Sequence, residues 1–233
     1  MKSIGISKIG LVRQRNEDRF FIDKSLSIVT DGMGGYKGGE IASTMVVDSL
    51  AKQFKQCKHP SVELIRSYMN KANEEVYNRV KETPALEGMG TTAVVAYVYA
   101  NTLYWANVGD SRLYIFKDQS LRQISTDHSM VQALYDAGEL EKQEMINHPQ
   151  RNILTRAIGV EPFVEVDGGK LEVAPGDRIM LCSDGLTGYV SPEVIEAAFK
   201  HEPSDERLVE DLIQLVYDQG AKDNVTIVVG TVE

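Results

Sequence analysis

Short apolar segments rich in Val, Ile and Tyr recur along the chain and predict β-strands, because β-branched and aromatic side chains suit a pleated, half-buried surface. They lie at Leu26–Val29, Ala93–Tyr99, Leu103–Val108, Leu113–Phe116, Ile179–Cys182 and Val225–Val232. Polar breaks at Asn101-Thr102 and Lys117–Ser120 separate neighbouring segments, which is typical of an antiparallel meander. The pattern therefore disfavours the alternating strands and helices of a parallel nucleotide-binding sheet.

Longer segments between these strands have helical spacing. They lie at Glu40–Gln56, Ser61–Lys81, Met130–Met145, Pro192–Phe199 and Asp205–Gln219. In the second segment, apolar residues recur every three or four positions from Val62 to Val80, which places one apolar stripe on a long helix. Such a stripe needs a sheet to cover. The pattern predicts strands sandwiched between helices, in a single domain that spans residues 1–233, since no repeat or flexible linker divides the chain.

Composition and charge narrow the classes of function. The 233 residues are 42% hydrophobic, which is enough for one sizeable core, and the formal net charge of -9 repels nucleic acid. Cys57 and Cys182 lie far apart with no zinc-like spacing, so both are expected to be reduced thiols. No signal peptide and no apolar run of about 18 residues is found. We therefore expect a cytoplasmic protein with no membrane insertion and no nucleic acid partner.

Several aspartates stand where predicted strands end. Asp31, Asp110 and Asp184 each follow an apolar run, and Asp223 opens the last strand. Glycine follows Asp31 and Asp184, so the backbone there can turn tightly and approach a bound ion. If the strands lie side by side, their ends gather carboxylates whose mutual repulsion raises pKa values unless cations intervene. Oxygen ligands favour hard cations.

The charges of this cluster suggest a mechanism. Asp31, Asp184 and Asp223 supply about three negative charges, against four positive charges from two divalent ions. A bridging hydroxide would complete the neutralisation. Two metals roughly 3.5–4 Å apart lower the pKa of a shared water and hold both the attacking and the leaving oxygen in phosphoryl transfer, without a phosphoenzyme.

A phosphate ligand also needs a cationic partner, and Arg13 is the candidate. Its planar guanidinium can bind two phosphate oxygens at once and stays charged at every working pH. Arg13 lies just before Glu17 and Asp18, which could face the metals. On spacing alone, Glu17 and Asp18 could equally be solvated loop charges.

Six motifs together resemble the metal-dependent protein phosphatases of type 2C, in their short bacterial form. In chain order they are Gly10-Leu11-Val12-Arg13 with Asn16-Glu17-Asp18, Asp31-Gly32-Met33-Gly34-Gly35, Gly90-Thr91-Thr92, Val108-Gly109-Asp110-Ser111-Arg112, Ser183-Asp184-Gly185-Leu186 and Asp223-Asn224. A single Asp-Gly pair is an ordinary turn signal, but this order extends over nearly the whole chain. The resemblance implies an α+β fold, a four-layer α-β-β-α sandwich of two antiparallel β-sheets flanked by antiparallel helices.

The same resemblance implies a set of metal ligands. Asp31 should bridge two Mn²⁺ or Mg²⁺ ions, and the Gly32 carbonyl should bind one of them. Asp184 and Asp223 should bind the other ion. The motif around Asp110 matches the place where bacterial relatives hold a third, weaker metal, shared with Asp184.

The resemblance also assigns roles around the metals. Arg13 matches the phosphate-binding arginine, and Glu17 or Asp18 would reach an ion through bound water. Residues 129–159 correspond approximately to a mobile flap that tends to set substrate choice in this family. Met33 stands where animal relatives have a histidine proposed as the general acid. Methionine cannot donate that proton, so the general acid is left open.

Some nearby polar residues are expected to be structural. His128 and His148 have no metal-binding spacing and are predicted to be surface or hydrogen-bonded histidines outside the core site. Thr91 and Thr92 favour strand entry through their β-branched side chains, so a structural role is favoured over substrate contact.

Three functions are compatible with these residues. The first is hydrolysis of phosphoserine and phosphothreonine monoesters in proteins, by direct attack of a metal-bridging water or hydroxide, opposing a cognate bacterial Ser/Thr kinase. The second is a regulatory pseudophosphatase, which the presence of Asp31, Asp184 and Asp223 disfavours. The third is a phosphatase devoted to a sigma-factor antagonist, which normally carries an added sensor or membrane domain. We expect a monomer, because no apolar heptad indicates a dimer seam.

Overall fold

The computed structural model describes residues 1–34 and 38–233, so Gly35 of the Asp31 motif lies outside the described residues. The described chain forms two antiparallel sheets. Sheet A has the order β1 (Lys2–Lys8), β11 (Val225–Thr231), β10 (Arg178–Cys182), β7 (Arg112–Lys117) and β8 (Ser120–Gln123). Sheet B has the order β2 (Asp18–Asp23), β3 (Leu26–Met33), β5 (Ala93–Tyr99), β6 (Thr102–Val108) and β9 (Asp167–Glu172), and β4 (Gly90–Thr91) also pairs with β3.

The described residues also form seven helices. They are α1 (Gly38–Phe54), α2 (Val62–Glu82), α3 (Met130–Asp136), α4 (Lys142–Met145), α5 (Asp184–Thr187), α6 (Pro192–His201) and α7 (Asp205–Asp218), with a 3₁₀ turn at Pro84–Leu86. The first two pack on sheet B, and the last two pack on sheet A. Ser61 begins α2 as its N-cap, because its hydroxyl accepts a hydrogen bond from the Leu64 N–H at 3.1 Å.

Three apolar layers separate the helices and sheets. One lies between sheet B and its helices, one between sheet A and its helices, and one between the two sheets. Neighbouring residues of β3 show the alternation that this requires, since Ile28 packs in the first layer and Val29 packs between the sheets. The predicted four-layer α-β-β-α sandwich is confirmed.

Two sequence-based predictions are wrong. The meander breaks after β6, because β7 lies in the other sheet, and the chain crosses between sheets at Gly109, whose φ is +103°. The predicted helix Met130–Met145 is two short helices, α3 and α4. Gly138 has a φ of +73°, which ends helical geometry there, and a capping box between Glu141 and Glu144 starts the next helix.

Polar or half-buried strands were not predicted. β1, β2, β8 and β9 carry few fully buried residues, so they lack a continuous apolar run. Cys57 and Cys182 are both free thiols, as predicted. Among residues 1–34 and 38–233, no helix has the length and apolar character that crossing a membrane requires.

Candidate active site

A cleft of about 540 Å³ opens beside the ends of β3, β6, β10 and β11. We call its carboxylates the acidic side of the cleft; they are Glu17, Asp31, Asp110, Asp184 and Asp223. Arg13 and Gly32 also line the cleft. The structure thus brings together every predicted site residue except Asp18, which lies beneath the surface.

The backbone of Asp31 is held by the two threonines that follow β4's glycine. Its N–H donates to Thr92 Oγ1 at 2.9 Å, and its carbonyl accepts from the Thr92 N–H at 2.8 Å and from Thr91 Oγ1 at 2.9 Å. Ser111 shares a further hydroxyl contact with Thr92 at 2.7 Å. The threonines therefore have the predicted structural role, since they fix the main chain and leave the Asp31 carboxylate to the cleft.

Gly32 occupies a position that only glycine fits. A Cβ atom there would lie 2.1 Å from the carbonyl oxygen of Gly39 and 2.8 Å from that of Glu17. The Gly32 N–H donates to the same Glu17 oxygen at 3.2 Å. This close approach joins β3, the start of α1 and the loop before β2 at the acidic side of the cleft.

Asp184 and Asp223 come together through a second close backbone approach. Asp184 begins α5 immediately after β10, and a Cβ on Gly185 would lie only 1.8 Å from the Asn224 carbonyl oxygen. The glycine after Asp184 therefore lets the chain meet the residue after Asp223. The contact between Gly185 and Asn224 thus brings together the two predicted metal ligands that precede them.

Asn224 anchors the N-terminal loop and was not predicted as a site residue. Its Nδ2 donates to the carbonyl oxygens of Ile9 at 3.0 Å and Arg15 at 2.8 Å, and its Oδ1 accepts from the Glu17 N–H at 2.8 Å. A buried amide with all of these bonds made fixes the loop that carries Arg13. The only sequence signal was its position next to Asp223.

The loop from Gly10 to Arg13 packs directly on the Asp223 segment. Gly10 has a φ of +78°, and a Cβ there would lie 2.3 Å from the Asp223 carbonyl oxygen. Arg13 Nη2 lies 2.7 Å from Asp223 Oδ2, and this hydrogen bond is the largest cause that raises the Arg13 pKa. Arg13, the predicted phosphate-binding residue, thus pairs with Asp223, a predicted metal ligand.

Asp18 is buried, so its interpretation as a solvated loop charge is wrong. It begins β2, opposite Asp31 in the strand register, and is 1% exposed. Its Oδ2 accepts from Ser183 Oγ at 2.8 Å and Thr226 Oγ1 at 2.7 Å, and its Oδ1 has no partner among the described residues. Burial raises the Asp18 pKa to about 7, although those two hydroxyls oppose the shift. Such an unsatisfied carboxylate oxygen is expected next to a cation or water.

The pKa values of the other buried carboxylates are also raised. Burial raises the pKa of Asp31 and Asp110 well above the usual range, with the negative charges of neighbouring aspartates adding to it. The pKa of Asp184 is also raised, by burial and then by Asp223. Closely spaced oxygen donors with raised pKa values suit a hard divalent cation, which removes their repulsion.

The carboxylates do not have the geometry of a metal site. In the described part of the chain, no three His, Cys, Asp or Glu side chains already have the geometry of a metal site. The reason is visible in two of them, because Asp223 is turned to Arg13 and Asp18 is turned to Ser183 and Thr226. The donor set fits a divalent ion in its chemistry, since the five carboxylates of the acidic side line one cleft.

Asp110 is positioned by His128, which is buried and hydrogen-bonded. The Gly109 main-chain N–H donates to the ring nitrogen Nδ1 of His128 at 3.1 Å. The His128 main-chain N–H donates in turn to the Gly109 carbonyl oxygen at 3.0 Å. Because Nδ1 accepts, the ring proton is on Nε2, which lies 3.2 Å from Asp167 Oδ2. His128 lies outside the acidic side of the cleft, as predicted, but its support of the Asp110 turn was missed.

Comparison with known proteins identifies the family. A family model described as protein phosphatase 2C matches residues 9–134. A serine/threonine phosphatase, Stp, of Listeria welshimeri is 36% identical over 228 residues, covering 94% of this chain and 90% of that protein. The chain belongs to the protein phosphatase 2C family.

Solved phosphatase 2C structures match the fold closely. The Mycobacterium tuberculosis serine/threonine phosphatase PstP/Ppp has a TM-score of 0.94 at 36% identity, covering 100% of this chain and 98% of that chain. The PstP catalytic domain in complex with two manganese ions has a TM-score of 0.88 at 34% identity, covering 98% and 96%. These relatives agree with the family and the four-layer fold inferred from the motifs.

The segment predicted as the phosphatase 2C flap forms one wall of the cleft. Its base is tied to the body, since the Thr155 N–H donates to the His128 carbonyl at 2.9 Å and a bridge joins Ile158 to Thr91. Asn152 lines the cleft, whereas His148 and Arg151 do not. The mobility of the flap stays a prediction.

In EDTA, we expect this phosphatase 2C domain to lose stability as the pH rises from about 4 to about 7. Folded-state pKa values of Asp18 and Asp31 are raised, so the folded chain binds more protons than the unfolded chain. The stabilisation from these extra protons is complete below the pKa of the unfolded chain and is lost as the pH rises through the pKa of the folded chain. Between the two pKa values, the free energy of unfolding falls by about 1.4 kcal/mol per pH unit for each proton. Urea unfolding across pH measures it. Asp18→Asn should flatten the decline, and an unchanged slope in that variant would contradict the assignment.

Proposed function

We propose that this chain is a metal-dependent phosphatase that hydrolyses phosphoserine and phosphothreonine monoesters in proteins. The observation that carries the proposal is the convergence of Asp31, Asp184 and Asp223 with Arg13 in one cleft. Relatives that span most of the chain are named serine/threonine phosphatases, which supports the same substrate class.

Two Mn²⁺ or Mg²⁺ ions are the proposed cofactors. Asp31 would contact both ions, the Gly32 carbonyl would bind one, and Asp184 and Asp223 would bind the other. Asp110 with Asp184 would hold a third ion. When bound, the ions supply positive charge that activates water and neutralises the phosphate oxygens. The unpaired Asp18 oxygen and the raised aspartate pKa values support cation binding here.

Arg13 binds the substrate phosphate in this proposal. Its guanidinium already points to the acidic side of the cleft through Asp223, and phosphate oxygens can replace that carboxylate as its partner. Glu17 lines the cleft and can orient water there, whereas buried Asp18 acts from beneath, by holding Ser183 and Thr226. Both carboxylates would reach an ion only through water.

Water attacks phosphorus and keeps one hydrogen on the new phosphate, while its other proton is released. The bond from phosphorus to the serine or threonine oxygen breaks, and that oxygen gains a proton. Met33 lines the cleft but carries no exchangeable proton. Among the described residues that line the cleft, none is a histidine. We therefore propose that the proton comes from water rather than from a histidine general acid.

The wider biological setting is also proposed. The substrates are phosphorylated proteins that include a cognate Ser/Thr kinase, and the enzyme acts in the cytoplasm as a monomer. The segment 129–159 serves as a flap that selects among these substrates. Size-exclusion chromatography with light scattering tests the monomer, and a phosphorylated kinase domain tests the partner.

The first test is phosphate release from a phosphothreonine peptide and from p-nitrophenyl phosphate, with Mn²⁺, Mg²⁺ or EDTA. We expect release with either metal, none in EDTA, and a loss of at least about a hundredfold in Asp184→Asn. Asp211→Asn, at an exposed position of α7, is the matched control. An inactive wild type that still binds phosphoprotein would instead support a pseudophosphatase.

A further inference from the structure

The cleft has an apolar part that the hydrolysis of a phosphate ester does not use. Val160, Phe163 and Val164 line it beside the flap, and we call these three residues the apolar wall. Phe163 is 88% exposed, the largest exposed fraction among the large apolar side chains that the structure describes. An aromatic ring this exposed, inside a cleft, favours a contact with a bound partner.

The loop that carries the apolar wall is held rigidly from below. Asn73 of α2 is 1% exposed, and its Oδ1 accepts from the Gly159 N–H at 2.8 Å. Its Nδ2 donates to the carbonyl oxygens of Glu161 at 3.0 Å and Pro162 at 3.3 Å. Both polar atoms of a buried side chain are therefore used to fix the residues just before Phe163.

Gly159 fixes the same loop by steric fit. Its φ is +90°, and a Cβ there would lie 2.2 Å from Val76 Cγ1 of α2. At the other end of the loop, Arg156 Nη2 lies 3.0 Å from Glu165 Oε2. These contacts hold the main chain on both sides of Phe163, which limits the positions that its exposed ring can take.

The apolar wall and the phosphate-binding residues belong to one cleft. Arg13 and the carboxylates line one part, and the apolar wall lines another part of the same space. A phosphorylated side chain placed on Arg13 therefore brings its neighbouring residues toward Phe163. Glu161 is exposed and lines the same cleft, so its charge disfavours acidic neighbours in the substrate.

We propose that the apolar wall is a specificity site that binds an apolar side chain close to the phosphorylated serine or threonine of the substrate protein. This inference rests on the proposed phosphatase function and adds a preference for one substrate class. The contact removes apolar surface from water on both partners, which lowers KM for such substrates. A small phosphate ester has no neighbouring side chain and gains nothing from it.

The test uses pairs of phosphothreonine peptides that differ at one neighbouring position, leucine against asparagine, with Mn²⁺ present. We expect at least one position where leucine raises kcat/KM roughly tenfold, as burial of part of its side chain allows. In Phe163→Ala, that preference should fall to about twofold or less. Phe163→Leu keeps an apolar surface and should retain most of it. The readout is the ratio of kcat/KM between the two peptides of a pair, so a uniform change of activity in a variant does not alter it.

The matched control is Tyr99→Ala at the end of β5, which removes another exposed aromatic side chain, 42% exposed, that does not line the cleft. It should keep the leucine preference. If wild type hydrolyses all peptides and p-nitrophenyl phosphate without a leucine preference, this inference fails and the proposed function stands. If wild type hydrolyses none of them, the proposed function fails. If Phe163→Ala keeps the preference and only abolishes self-association, the apolar wall is a contact between copies and the inference also fails.

Discussion

Asp31→Asn is expected to abolish phosphate release while raising the stability of the metal-free protein. Activity should fall by at least about a thousandfold, because this carboxylate is the proposed shared ligand of both ions and an amide does not supply its charge. Stability in EDTA at neutral pH should rise by roughly 1 to 3 kcal/mol, since burial and the charges of Asp18 and Asp184 raise the pKa of Asp31. The neutral amide removes that repulsion.

Urea unfolding of both proteins, in EDTA and then in Mn²⁺, separates the two effects. Wild type should gain more stability from Mn²⁺ than Asp31→Asn does, because binding to the folded state alone adds stability by mass action. Asp48→Asn, on the exposed side of α1, is the control and should change neither quantity. A variant that is less stable than wild type in EDTA would show that Asp31 supports the fold, and the charge argument would be wrong.

The sequence predicts the layers of the fold better than its edges. Runs such as Ala93–Tyr99 are buried on both faces between a helix layer and a second sheet, so they are apolar throughout and easy to recognise. β1 and β9 are half-buried edge strands with polar residues, and they give no such signal. The crossing of the chain from one sheet to the other at Gly109 was not predicted. A glycine indicates a turn there, but it does not indicate which sheet the next strand joins.

The candidate site divides in a similar way. Asp31 and Asp184 are visible in the sequence because a glycine follows each at the end of an apolar run, and the family motif fixes their order. The roles of Asn224 and Asn73 could not be predicted from the sequence, since both residues act through hydrogen bonds to main-chain atoms far away in the chain. Nothing in periodicity or charge separates such an asparagine from one on a surface loop.

Arg13→Ala should separate phosphate binding from metal binding. We expect kcat/KM for a phosphothreonine peptide to fall by about 10² to 10³, because a charged donor aimed at the phosphate is lost. Affinity for Mn²⁺ should not fall, since Asp223 loses its 2.7 Å ion pair with Arg13 and becomes free to bind the ion. The pair is partly exposed, with 53% and 32% of the two side chains accessible. Such pairs are worth about 0 to 1 kcal/mol, so the gain should be at most about fivefold.

Arg13→Lys distinguishes charge from shape. Lysine keeps the positive charge but offers a single ammonium instead of a planar fork, so activity should lie between wild type and Arg13→Ala. Mn²⁺ affinity is read by calorimetric titration without substrate, and Arg122→Ala, on exposed β8, controls for loss of positive charge alone. If Arg13→Ala lost activity and Mn²⁺ affinity together, the Asp223 pair would be part of the metal site. A loss of activity with unchanged Mn²⁺ affinity would support a role of Arg13 in phosphate binding alone.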